Sequence, residues 1–95
     1  MAWLGKQPVN TTFRITASFQ NAAGPILLAA PVISVYDPTD ALVVNAAGMT
    51  EIGSGIYYYD YPIPSAGIFK VHTALAANNL WGYGSFEGID IGRME

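Results

Sequence analysis

Cysteine is absent from the 95 residues, which excludes a disulfide framework and a thiolate nucleophile and leaves the compartment open. Charge is scarce as well: charged residues make up 12% of the chain, against a usual ~25%. The cations are Lys6, Arg14, Lys70 and Arg93. They are scattered and form no phosphate-binding stripe, so nucleic acid is not an expected partner. Long apolar runs are missing too. Residues 26–35 form the longest, but Pro31 and Ser34 break it and it is too short to cross a bilayer. No membrane insertion is expected. The opening Met1-Ala2-Trp3-Leu4-Gly5-Lys6 has no basic start followed by an apolar core, so export by a cleaved signal is not expected either. No stretch carries a helical apolar period over a useful length.

What the chain does have is apolar and aromatic residues. Hydrophobic residues reach 52%, with six Tyr, four Phe and two Trp, which is too apolar for disorder. With so few charges to solvate it, part of the surface is expected to be covered by other chains. The most informative stretch runs from Gly55 to Val71. It reads as two strands, each opened by Gly-x-aromatic, separated by Pro62-Ile63-Pro64-Ser65-Ala66-Gly67. Tyr57, Tyr59 and Tyr61 share one face at strand period, and Phe69 and Val71 continue the pattern. The two prolines forbid a continuous hairpin ladder, so the chain must cross from one sheet to another.

Elsewhere, Phe13, Ile15, Ala17 and Phe19 alternate with Thr12, Arg14, Thr16 and Ser18, the pattern of a half-buried strand over 9–19. Asn-Ala-Ala-Gly occurs at 21–24 and again at 45–48, and both read as turns. Further strands are expected at 32–36, 41–45, 49–52, 56–61, 68–75 and 80–91, the last interrupted by Gly82, Gly84 and Gly88. A short edge segment is expected at 26–30, between Pro25 and Pro31. Residues 1–8 read as an N-terminal arm and 9–95 as one domain. The expected architecture is all-β, an antiparallel sandwich of about seven strands, with an up-and-down barrel as the alternative.

Three segments carry a further signal: Val32-Ile33-Ser34-Val35-Tyr36-Asp37-Pro38 in an early strand, Gly55-Ile56-Tyr57 opening a late strand, and Ala66-Gly67-Ile68-Phe69-Lys70-Val71 opening the next. In this order they resemble the immunoglobulin-like sandwich modules of bacterial surface proteins, macroglobulin-type domains and phage virion proteins. The Cys…Trp…Cys core of antibody domains is absent. The resemblance implies a spacer, an adhesion unit or an assembly part rather than an enzyme, and fold alone does not choose among these.

Few residues offer chemistry. His72 is the lone histidine, placed opposite Phe69 and Val71 in the alternation, and reads as an outward polar residue. Asp37 and Asp40 flank a turn and with Thr39 could hold calcium, but two carboxylates fall short of its usual six to eight oxygens; a capped turn is the preferred reading. Asp60 reads as solvent-facing and has no second carboxylate for glycoside chemistry. Asn10-Thr11-Thr12 matches a glycosylation sequon, read as chance in a chain without a secretory signal. Trp81 and Tyr83 share a face of the last strand. Trp81 taken singly fits a core residue, whereas facing outward the pair makes a shelf for a neighbouring subunit or a carbohydrate.

The expected function is therefore non-enzymatic and cofactor-free: a structural subunit of a virion, such as a phage capsid decoration or tail-associated protein. Its partners would be itself or other structural proteins, with Trp3, Leu4, Trp81 and Tyr83 as the interface. The alternative is an extracellular or cell-surface module binding carbohydrate or protein, with Tyr57, Tyr59 and Tyr61 as a ligand platform.

Overall fold

Strands dominate because β-branched and aromatic residues recur at period two and Gly, Pro and Asn punctuate them. The structure, a computed structural model, describes residues 2–27 and 29–90. Its strands are β1 (Ala2–Pro8), β2 (Thr12–Ser18), β3 (Gln20–Asn21), β4 (Gly24–Pro25), β5 (Val32–Tyr36), β6 (Leu42–Gly48), β7 (Thr50–Gly53), β8 (Ile56–Pro62), β9 (Gly67–Leu75) and β10 (Leu80–Ile89). One 3₁₀ turn, Ala76–Asn78, joins β9 to β10. The larger sheet has the order β1-β10-β9-β5-β6 and the smaller β2-β8-β7; β3 and β4 form a separate hairpin.

The corner after β8 does carry the chain between sheets. Pro62 ends β8 in the small sheet and Gly67 opens β9 in the large one. Gly67 has φ +125, and a β-carbon there would sit 2.5 Å from Pro38 Cγ, so both backbone and packing require glycine.

The core lies between the sheets. Ile15 of β2 and Tyr61 of β8 meet Ile33, Val35, Phe69, Val71 and Phe86 of the large sheet, together with Ile63 of the corner. Phe69 and Phe86 stack with centroids 5.0 Å apart and planes 4° from parallel. Phe13 meets Phe86 edge-on at 5.0 Å but stays half-buried near the sheet edge. A second cluster holds Phe19, Tyr57 and Leu75. The buried Tyr57 hydroxyl donates to the Ile26 carbonyl at 2.8 Å and accepts from the Ala29 amide at 3.1 Å, tying down the connection before β5.

Several expectations change. The sheets are not wholly antiparallel: residues 2–8, expected as an arm, form β1 and run parallel to β10, with Ala2 opposite Gly84 and Pro8 opposite Ile89. Neither Gly5 nor Pro8 suggests a strand locally; pairing with β10 supplies the order. The two-residue strands and β1 raise the count among the described residues to ten. Asn21-Ala22-Ala23-Gly24 does turn, with Asn21 Oδ1 accepting from the Ala23 amide at 2.9 Å. Asn45-Ala46-Ala47-Gly48 instead lies inside β6, because Ile33 and Val32 pair with Ala47 and Gly48 and Ser34 Oγ accepts the Ala46 amide. Residues 26–27 and 29–30 form no strand; Leu28 lies outside the described residues. The glycines of β10 do not interrupt it. Gly82 admits Thr73, whose Oγ1 would lie 2.7 Å from a β-carbon there. Ile91, where that strand was expected to end, and Arg93 lie outside the described residues.

Candidate interaction surface

Strand alternation sorts the aromatics. On β10 the residues Gly84, Phe86 and Gly88 are buried, so Trp81 and Tyr83 point away from the core. They are 51% and 59% exposed. Trp81 is thus an outward residue, contrary to its individual reading as core, because Gly82 and Gly84 take the inner positions beside it and Tyr83, with Phe86 continuing that inner face. Trp3 pairs with Ser85, two residues beyond Tyr83, and so shares that outer face; it is 55% exposed. Leu4, next along the strand, turns inward and packs on the core. It is half-buried, on the side of the strand opposite Trp3.

Across the face, His72 sits opposite Tyr83, and Ser34 sits opposite His72. The His72 and Tyr83 rings stack at 4.8 Å and 20°. His72 Nε2 is shut away from solvent and has no hydrogen-bond partner among the described residues. One outer sheet face thus carries Trp3, Trp81, Tyr83 and His72, with Ile68 and Leu42 as further exposed apolar residues toward its other strands.

The tyrosine-rich strand is not available as a platform. Tyr57 and Tyr61 are buried and Tyr59 is half-buried, since this face of β8 is the inner face of the small sheet. Burial pushes the Tyr61 phenol above its usual range, with Asp37 and Tyr59 adding to the effect.

The carboxylates are occupied by the protein. Asp37 Oδ1 accepts from the Thr39 hydroxyl at 2.6 Å and from the Thr39 and Ala41 amides at 2.9 Å, closing the turn. The Thr39 hydroxyl, and then the Ala41 amide, hold the Asp37 carboxyl below its ordinary value. Asp40 binds Lys70 Nζ at 2.6 Å. Asp60 pairs with both Arg14 Nε (2.8 Å) and Nη2 (3.1 Å), which keeps its carboxyl low. The Arg14 guanidinium also lies 3.9 Å from the centre of the Tyr58 ring. Among the described residues no group of three or more His, Asp or Glu is arranged to hold a metal ion.

An open cleft of about 300 Å³ lies on one side of the sandwich, where β2 faces the start of β10. Ile15, Ala17, Val71, Thr73, Gly82 and Gly84 are among its lining. No helix of the described residues is long and apolar enough to cross a membrane. In comparisons with known proteins, no family model, no curated protein and no solved structure matches this chain.

Proposed function

We propose that this protein is a non-enzymatic structural subunit that works by packing the outer face of its five-stranded sheet against protein in an assembly. The observation that carries the reading is the placement of Trp3, Trp81 and Tyr83 on that one face, each more than half exposed. Large exposed aromatics are enriched in interface cores, and Lys70 and Glu87 on the same face supply a polar surround to them. A specific interface of this kind buries at least ~1,000 Å² in total.

The strand order supports an immunoglobulin-like version of the sandwich. Lettered in chain order from β1 as A, leaving out β3 and β4 and giving β6 as C′, the sheets read B-E-D against A-G-F-C-C′. Together with the small size and low charge, this favours a virion component, such as a capsid decoration or tail-associated protein. The setting is an analogy of architecture.

A second reading has its own support. An exposed Trp and Tyr two residues apart on a strand also suit the flat face of a sugar ring, which gives a carbohydrate-binding module at a cell surface. Sedimentation of the isolated chain over a concentration range, with imaging of its native particle, tests the first reading. A chain that stays single at every concentration and belongs to no particle overturns it. Polysaccharide binding that is lost in Trp81→Ala installs the second.

A further inference from the structure

The β2 edge of the small sheet is open in a way the other sheet edges are not. Among the described residues β2 pairs only with β8. Phe19 donates to the Gly55 carbonyl at 2.9 Å and Thr11 accepts from the Ile63 amide at 3.0 Å. Odd-numbered residues of β2 therefore bond to β8, and antiparallel alternation turns the amides and carbonyls of Thr12, Arg14, Thr16 and Ser18 to the open side. Natural edges are usually blunted by bulges, prolines, lysines or shortness. The edge strands β1, β6 and β7 each carry a register irregularity. In addition β1 has Lys6 and Pro8, and β7 has four residues. By contrast β2 pairs all seven of its residues in unbroken register and has no Pro, Gly or Lys. Its one charge, Arg14, is drawn across the sheet to Asp60 and Tyr58 on β8 rather than toward the open edge.

We infer that this edge pairs with β2 of a second copy of the chain, antiparallel about a two-fold axis at Ile15. That register places Thr12 opposite Ser18 and Arg14 opposite Thr16, each in both directions. It joins all seven residues of both strands, forms about eight backbone hydrogen bonds, and sets no like charges opposite one another. Shifting the centre to Arg14 would put two arginines face to face and leave Ala17 and Ser18 unpaired; shifting it to Thr16 would leave Thr12 and Phe13 unpaired. On the inner face Phe13 of the partner subunit comes beside Ala17, at the mouth of the cleft. The contact is isologous and closed, so it yields dimers and no filament. It is independent of the aromatic face, which lies on the other sheet, and the two surfaces together allow an assembly to extend.

The test uses the full chain, with amide hydrogen exchange and sedimentation read at rising concentration. The amides of Arg14, Thr16 and Ser18 are expected to gain protection as dimer forms, while those of Ile15 and Ala17 are protected throughout. Thr16→Lys sets a lysine opposite Arg14 twice per dimer and is expected to weaken dimerisation about tenfold, whereas Thr16→Glu is expected to retain it. Thr16 is exposed, so both variants fold. Even-numbered amides that stay unprotected in a dimer, or equal dimerisation by both variants, would overturn the inference. So would a wild-type chain that assembles only through residues Trp3, Trp81 and Tyr83. Loss of assembly in Trp81→Ser with Tyr83→Ser, but retention of the dimer, would instead count for both surfaces separately.

Discussion

The His72 imidazole lies flat against the Tyr83 ring, centroids 4.8 Å apart, while its Nε2 is buried without a hydrogen-bond partner among the described residues. Removing such an unpaired group while keeping its shape is neutral or stabilising, because the desolvation cost goes with it. His72→Phe keeps a ring on Tyr83 and removes the nitrogens. Urea unfolding is expected to show unchanged or higher stability, by up to about 1 kcal/mol. A loss of that size would mean that the imidazole makes a bond the fold depends on.

Gly67 fixes where the chain changes sheets. Its φ of +125 and the Pro38 ring at 2.5 Å from a built β-carbon both exclude a side chain. Gly67→Val is expected to cost more than ~1 kcal/mol, well beyond a surface substitution. Thermal melting checks this, and an unchanged melting temperature would remove the case for a constrained corner.

The aromatic core is graded by burial. Phe69 is fully buried and stacked on Phe86, so Phe69→Ala is expected to cost about 3–5 kcal/mol. Phe13 touches the same Phe86 but is half-buried at the edge, and Phe13→Ala is expected to cost clearly less. Equal losses in denaturant titrations of the two variants, at concentrations where the chain is single, would mean that Phe13 is as well packed as Phe69.

Acid should weaken the fold through Asp37 and Asp60. Both carboxyls are held below their ordinary value of 3.8, Asp37 by the Thr39 hydroxyl first and Asp60 by its hydrogen bond from Arg14. A depressed folded pKa gives stability that is present above the unfolded value and lost as pH falls through the folded one. Melting temperature is therefore expected to be insensitive to these two groups near neutrality and to fall below about pH 4. In Asp37→Asn the acid-dependent part of the fall should shrink; an identical profile would mean the turn bonds do not favour the charged form.

Much of the fold was legible because it is local. The Pro-Ile-Pro-Ser-Ala-Gly corner announces a change of sheet through residues that cannot join a ladder. What was not legible depends on distant partners. Gly5 and Pro8 argue against a strand, yet β10 organises β1 alongside it. The two Asn-Ala-Ala-Gly segments share their letters and differ in structure because only the second lies beside β5. The site divides in the same way. Strand period puts Trp81 and Tyr83 on one face, but which face is buried is decided by the packing of Gly82 against Thr73 and by the buried Phe86. For the same reason Tyr57 and Tyr61 were legible as partners on a face but not as core.

The central claim is that the outer face bearing Trp3, Trp81 and Tyr83 is covered by protein in the working state. Sedimentation of the wild-type chain beside a Trp81→Ser/Tyr83→Ser variant, over the same concentration series, tests it most directly. Both substitutions fall on positions more than half exposed, so the variant is expected to stay folded, with a small loss from the Tyr83 ring leaving His72. Wild-type mass is expected to rise with concentration, and the variant to fall short of it wherever the wild type associates. Identical sedimentation of the two chains at every concentration would contradict it.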